Sequence, residues 1–146
     1  MNNHDIISTL EAAPIVPLYY HEDSDIACKL MDACYKGGAR AIEFTNRGAK
    51  ALEVFQNMSA YAKTHYPDLA LGIGSISTVE QAKEFMNVGA DFLVSPFIQK
   101  ELADFAVAND IFWTGGCGTL TEMQTAYNWG VKLLKLFPGN IYGPAM

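Results

Sequence analysis

The chain has 146 residues, 50% of them hydrophobic and 18% charged, enough apolar material for a globular domain with a packed core. Its formal net charge of −6, with no long run of either sign, argues against nucleic acid or an anionic membrane as the main partner. The three cysteines (Cys28, Cys34 and Cys117) fit neither a disulfide framework nor a zinc spacing, and no leader or membrane span is expected, so a cytoplasmic location follows.

Residues 4–13 read as a short amphipathic helix with Ile6, Ile7 and Leu10 on one side, ended by Pro14. Residues 15–20 read as a strand made irregular by Pro17. Ser24 or Asp25 caps a helix whose apolar face is Ile26, Ala27, Leu30, Ala33 and Cys34, and Gly37-Gly38 stops it. Residues 41–45 form a second strand with the carboxylate of Glu43 inside it. A helix over 49–65 follows, with Leu52, Phe55, Met58 and Ala62 as its stripe. Residues 69–75 are the third strand, and a capping-box pattern at 77–80 opens a helix over 78–88. Strand 92–95, helix 99–108 and strand 111–116 come next. A second capping box at 119–122 opens a helix over 120–129, and a sixth strand carries Lys135.

Such alternation predicts parallel βαβ units, either in an open doubly wound sheet or in a closed (β/α) barrel. An internal echo favours the barrel. Three helix-to-strand junctions begin with Gly38, Gly89 and Gly130, and in this echo Glu43 and Lys135 occupy the same register. Both side chains are then expected on one face at similar depth, with Lys132 pointing the other way as a solvated control.

Residues 130–138 read as an apolar strand with a cation inside. In a fully covered strand such a lysine needs a partner or loses its charge, and a desolvated amine is a nucleophile toward carbonyl carbon. Two plainer readings stand beside this one: a lysine at a strand end reaching solvent, and a buried Glu43–Lys135 ion pair. Arg47, beyond Thr45 at the end of the second strand, is placed to grip a carboxylate in bidentate fashion or to sit on the surface. Thr45 and Ser75 offer hydroxyls at strand ends. The Gly72/Gly74 and Gly115/Gly116/Gly118 clusters allow close backbone approach, but no phosphate-loop pattern is present. His4, His21 and His65 are scattered without metal spacing and read as surface residues, and Trp113 and Trp129 as core or interface.

Glu43-Phe44-Thr45-Asn46-Arg47, Gly72-Ile73-Gly74-Ser75, Val94-Ser95-Pro96 and Leu134-Lys135-Leu136-Phe137-Pro138, in this order, resemble the 2-keto-3-deoxy-6-phosphogluconate (KDPG)/4-hydroxy-2-oxoglutarate (KHG) aldolase family. The resemblance implies a class I, Schiff-base aldolase on a TIM (β/α)8 barrel, an aldehyde-lyase using neither cofactor nor metal. It acts on a small 2-keto acid, with no nucleic-acid or membrane partner, and usually assembles as a homotrimer. It implies Lys135 as the Schiff-base lysine and Glu43 as the proton shuttle. Arg47 holds the carboxylate of the pyruvyl portion with Ser75 as helper, and Thr45, Pro96 and Phe137 shape the pocket. Phe44, Asn46, Ser75, Gly115 and Gly139 depart from the residues usual in the family.

About six βα units are present, so residues 1–146 read as one barrel domain, C-terminally truncated, with the last two units missing. An oligomer or a poorly stable monomer is then expected, with weak or no activity on phosphorylated substrates. Two alternatives remain: another phosphate-binding barrel enzyme in which Lys135 is only electrostatic, or a non-catalytic remnant acting by assembly.

Overall fold

The computed structural model, which describes residues 1–142, places six parallel strands side by side in sequence order. These are β1 (Leu18–Tyr19), β2 (Ala41–Thr45), β3 (Ala70–Gly74), β4 (Phe92–Ser95), β5 (Phe112–Cys117) and β6 (Lys135–Leu136). Helix α1 (Asn3–Ala12) precedes β1. Helices α2 (Ser24–Lys36), α3 (Ala51–His65), α4 (Val79–Asn87), α5 (Lys100–Ala108) and α6 (Leu120–Asn128) connect successive strands, and α7 (Gly139–Tyr142) follows β6. An unreversed parallel order belongs to a barrel; a doubly wound sheet reverses its order at a switch point. β1 and β6 do not pair with each other, so the sheet is a curled half-barrel open between them. The expected barrel-type α/β fold with six βα units is what the chain adopts.

Strand alternation divides the apolar residues into two layers. Ile42, Phe44, Leu71, Ile73, Leu93 and Trp113 face the helices and pack with Phe55, Met58 and Phe85. Ala41, Ala70, Phe92, Val94 and Phe112 face the concave side. There Ile6 of α1 is fully buried against them, with Ile7 and Leu10 beside it. Enclosing each large side chain of the helix layer contributes about 1.5–3 kcal/mol.

Several local expectations are corrected. Only two residues of the first strand join the sheet, and Ile15 is 75% exposed. Pro14 and Pro17 lack N–H donors, which limits pairing there. The α2 cap is Asp23, ahead of both expected candidates Ser24 and Asp25, accepting the N–H groups of Asp25 and Ile26 at 2.9 and 3.0 Å. Its buried face is Ala27 and Met31, while Ile26, Leu30 and Ala33 are exposed. In α3, Val54 is buried and Leu52 is not. The cap of α4 is Thr78, accepting Gln81 N–H at 3.2 Å, while the Gln81 side chain accepts Ser77 N–H at 2.9 Å. The second box, Thr119 with Glu122, forms as expected.

The largest correction concerns β6. Leu133, Leu134 and Leu136 are 47%, 36% and 41% exposed. The strand is not covered, because β5 pairs with it on one side and no described strand lies on the other.

Candidate active site

Glu43 is the third residue of β2 and Lys135 the first of β6. Across the ladder Glu43 aligns with Gly72, then Phe92, then Phe112. Lys135, however, pairs with Gly116, four residues beyond Phe112 (116 − 112). A closed eight-stranded barrel of shear 8 climbs about one residue per strand. Four strand steps from β2 to β6 therefore account for that stagger, and an even offset keeps both side chains on the concave face. The shared register expected from the echo holds along the barrel axis, although not along the hydrogen-bonded ladder.

Both side chains line one cavity of about 410 Å³. Thr114 also reaches it, and its wall is otherwise mostly apolar, with Phe92, Val94, Phe112 and Leu134. β3 makes room on this face. A methyl group on Gly72 would overlap the Phe92 ring, and one on Gly74 would overlap the Glu43 carboxylate. The bare stretch expected to let backbone approach thus admits side chains of the neighbouring strands instead. At Gly116 the expectation of close backbone holds, since a methyl there would overlap the Pro96 carbonyl and meet the Phe137 Cβ at 3.2 Å.

Glu43 is buried, and burial pushes its carboxyl above the usual glutamate range, with the charge of Lys135 pulling partly back. No ion pair among the described residues includes Glu43 or Lys135. The buried salt bridge is therefore not formed; the two groups face a common space. Lys135 is half-buried, not enclosed in a covered strand, and its Nζ lies 4.9 Å from the centroid of the Phe137 ring. Lys132 is exposed, as expected of the control.

The other expected site residues sit around the strand ends. Thr45, two residues past Glu43 on the same face, is 3% exposed, and its Oγ1 has no hydrogen-bond partner among the described residues. An unsatisfied buried hydroxyl costs about 1–3 kcal/mol, which a polar ligand atom or water would offset. Arg47 follows β2 as expected but is exposed and does not line the cavity. Ser75 is exposed just past β3 with φ 63, a left-handed conformation unusual for serine. Pro96 is half-buried after β4, and Phe137 is 41% exposed. Phe44, one of the departures, faces the helix layer with its ring 5.5 Å from Tyr20 and 6.3 Å from Phe55, so its bulk does not enter the cavity.

One residue escaped the sequence reading. Thr114 donates its hydroxyl to the Leu133 carbonyl at 2.8 Å. The alternation Phe112, Thr114, Gly116 already marked it as a polar side chain on the inward face. Trp113, on the opposite face, is core as expected, its Nε1 donating to Ser95 Oγ at 2.8 Å. His4 and His65 are exposed and His21 is half-buried. Among the described residues no group of three or more His, Cys, Asp and Glu side chains is arranged to hold a metal, and no helix is long and apolar enough to cross a membrane. An amine and a carboxyl of raised pKa facing one mostly apolar cavity are equipped for imine formation coupled to proton transfer.

Comparison with known proteins bears on the family and the fold. The family model for KDPG and KHG aldolases matches residues 6–146. The 2-dehydro-3-deoxy-phosphogluconate aldolase of Treponema pallidum is 30% identical over 138 residues, covering 94% of this chain and 64% of the relative. The KHG/KDPG aldolase of Escherichia coli K12 is 29% identical over 136 residues, covering 93% of this chain and 62% of the relative. The crystal structure of the 2-keto-3-deoxy-6-phosphogluconate aldolase of Zymomonas mobilis ZM4 with 3-phosphoglycerate superposes with a TM-score of 0.84 at 26% identity, covering 97% of this chain and 65% of that one. The chain thus spans a little under two-thirds of the length of these proteins.

Proposed function

Since the chain belongs to the KDPG/KHG aldolase family, we propose that it supplies the Schiff-base site of a class I aldolase acting on a 2-keto acid. The amine nitrogen of Lys135 attacks the C2 carbonyl carbon through its lone pair, and the carbonyl oxygen leaves as water once protonated, giving a protonated imine. The imine draws electrons from the adjoining carbons. As the C4 hydroxyl gives up its proton to Glu43, directly or through water, the C3–C4 bond breaks. The bond's electron pair flows toward the imine nitrogen, leaving an enamine and a free aldehyde. Protonation at C3 and hydrolysis of the imine then release pyruvate and the free lysine. Glu43 suits the shuttle because burial raises its proton affinity. Arg47 and Ser75, at the ends of β2 and β3, are assigned to the substrate carboxylate, and the unpartnered Thr45 hydroxyl to a polar atom within the pocket. Pro96 and Phe137, which do not line the cavity itself, are assigned to its rim, and the Phe137 ring lies beside the amine proposed to react.

The observation that carries this reading is that Glu43 and Lys135 line one cavity without closing an ion pair. Borohydride added in the presence of pyruvate tests it, since hydride reduces the imine to a stable secondary amine. A mass adduct on the peptide containing Lys135, absent in Lys135→Met, is expected. A folded protein that gains no adduct would sink the proposal. Self-assembly belongs to the same reading: Ile26 and Leu30 of α2 and Leu52 of α3 are exposed apolar side chains that association would bury. Light scattering is expected to give three times the mass of the chain, and a monomer throughout would refute that part.

A further inference from the structure

We propose that Thr114 is a positioning residue for Lys135, an inference that rests on the aldolase reading above. The β5–β6 ladder consists of two pairs, Gly116 with Lys135 and Cys117 with Leu136. Continued backward by two residues, that register sets Thr114 opposite Leu133, where the ladder has already stopped. At that level the Leu133 carbonyl is held by a side chain, the Thr114 hydroxyl at 2.8 Å. The bond therefore takes over where backbone pairing ends, two residues before the lysine and on the same strand face. It matters because β6 has no described neighbour on its other side. The two ladder pairs and the Phe137 N–H bond to the Cys117 carbonyl at 3.1 Å hold β6 from Lys135 onward. Before the lysine the strand relies on the Thr114 bond, and a shift at Leu133 moves Nζ of Lys135 relative to Glu43. Thr114 itself is 7% exposed and belongs to the well-packed β5, between buried Phe112 and Trp113 on one side and Gly116 on the other, so it is a fixed point for the bond.

The chemistry separates this role from plain structural support. The bond is part-buried and Leu133 itself is 47% exposed, so water is expected to take over its carbonyl once the hydroxyl is gone. Thr114→Val keeps the branched shape and removes only the donor. It should leave the unfolding midpoint nearly unchanged while misplacing the amine.

The test is the rate of borohydride-trapped pyruvate adduct at Lys135, measured against pyruvate concentration in the wild type, Thr114→Val, Thr114→Ala and Thr114→Ser. The maximal trapping rate is expected to fall about tenfold in Thr114→Val and Thr114→Ala, with half-saturating pyruvate changed by less than about twofold, and to return near wild type in Thr114→Ser. Wild-type rates in folded Thr114→Val would overturn the positioning role, as would failure of Thr114→Ser to restore the rate. If neither hydroxyl-free variant folds, Thr114 is a folding element and the proposal also falls. An adduct absent from the wild type itself would overturn the aldolase reading, and this inference with it.

Discussion

β2 and β6 each carry one of the two side chains proposed to react, and they are built differently. β2 has five residues, all buried, with a paired strand on each side. β6 has two, one half-buried and one exposed, with a paired strand on one side. Glu43 is held by two ladders and by the space that Gly74 leaves for its carboxylate. Lys135 is held by its pairing with Gly116, the Thr114–Leu133 bond nearby and the ring of Phe137. The proposed acid–base half of the site therefore belongs to the core, and the proposed nucleophilic half rests on a few local contacts. Changes near Glu43 should register in stability and proton transfer, and changes near Lys135 in imine formation with little effect on unfolding.

Gly74→Ala should have the largest effect, because its methyl competes with the Glu43 carboxylate for one space. A loss of about 1–3 kcal/mol in denaturant unfolding is expected, as for overpacked cores. Proton transfer at bound pyruvate should collapse while borohydride still traps the adduct at Lys135. Loss of both together would show that the two halves are not held separately.

Next comes pH. Burial raises the Glu43 carboxyl in the folded chain, so the native state keeps its proton after the unfolded state has released it. Stability contributed by this group is therefore full below the ordinary glutamate range and declines as pH rises from there through the raised native value. Glu43→Gln removes that decline. Unfolding midpoints of the two proteins, followed from about pH 4 to about pH 8, should draw apart in favour of the variant as pH rises. Parallel curves would contradict the assignment of a desolvated carboxyl to Glu43.

Phe137→Leu should have the smallest effect. It removes the ring beside Lys135 Nζ, a cation–π contact at a partly exposed site worth about 0.5–1 kcal/mol. Because the protonated imine formed at the same nitrogen loses this contact as well, trapping at Lys135 is expected to slow by about two- to fivefold with no measurable change in unfolding. A large loss of stability would mean that Phe137 supports the fold instead of the amine.

Most of the fold could be read from the chain because β2 to β5 are apolar runs covered on both faces, bounded by glycines and capping residues. The run around Lys135 has the same composition, but composition does not record how many neighbouring strands a run finds. β6 therefore looked covered and is not. The α2 face was misplaced for a related reason. Ile26 and Leu30 follow the same helical period as Ala27 and Met31, and only packing selects the second pair. In the site, the glycine-led echo put Glu43 and Lys135 on one face, while their four-residue stagger appears only in the ladder. The left-handed Ser75 and the bond from Thr114 to Leu133 depend on backbone geometry that residue types alone do not reveal.

The most direct test of a site shared by Glu43 and Lys135 is exchange of the pyruvate methyl protons in deuterated water, followed by NMR. Exchange requires the imine at Lys135 and a base at its C3 carbon. The wild type should exchange, and Lys135→Met should not. Glu43→Gln should still form the borohydride adduct while exchanging at least about a hundredfold more slowly. Wild-type exchange in Glu43→Gln, with its adduct intact, would contradict a shared site, since Lys135 would then act without the carboxylate across the cavity.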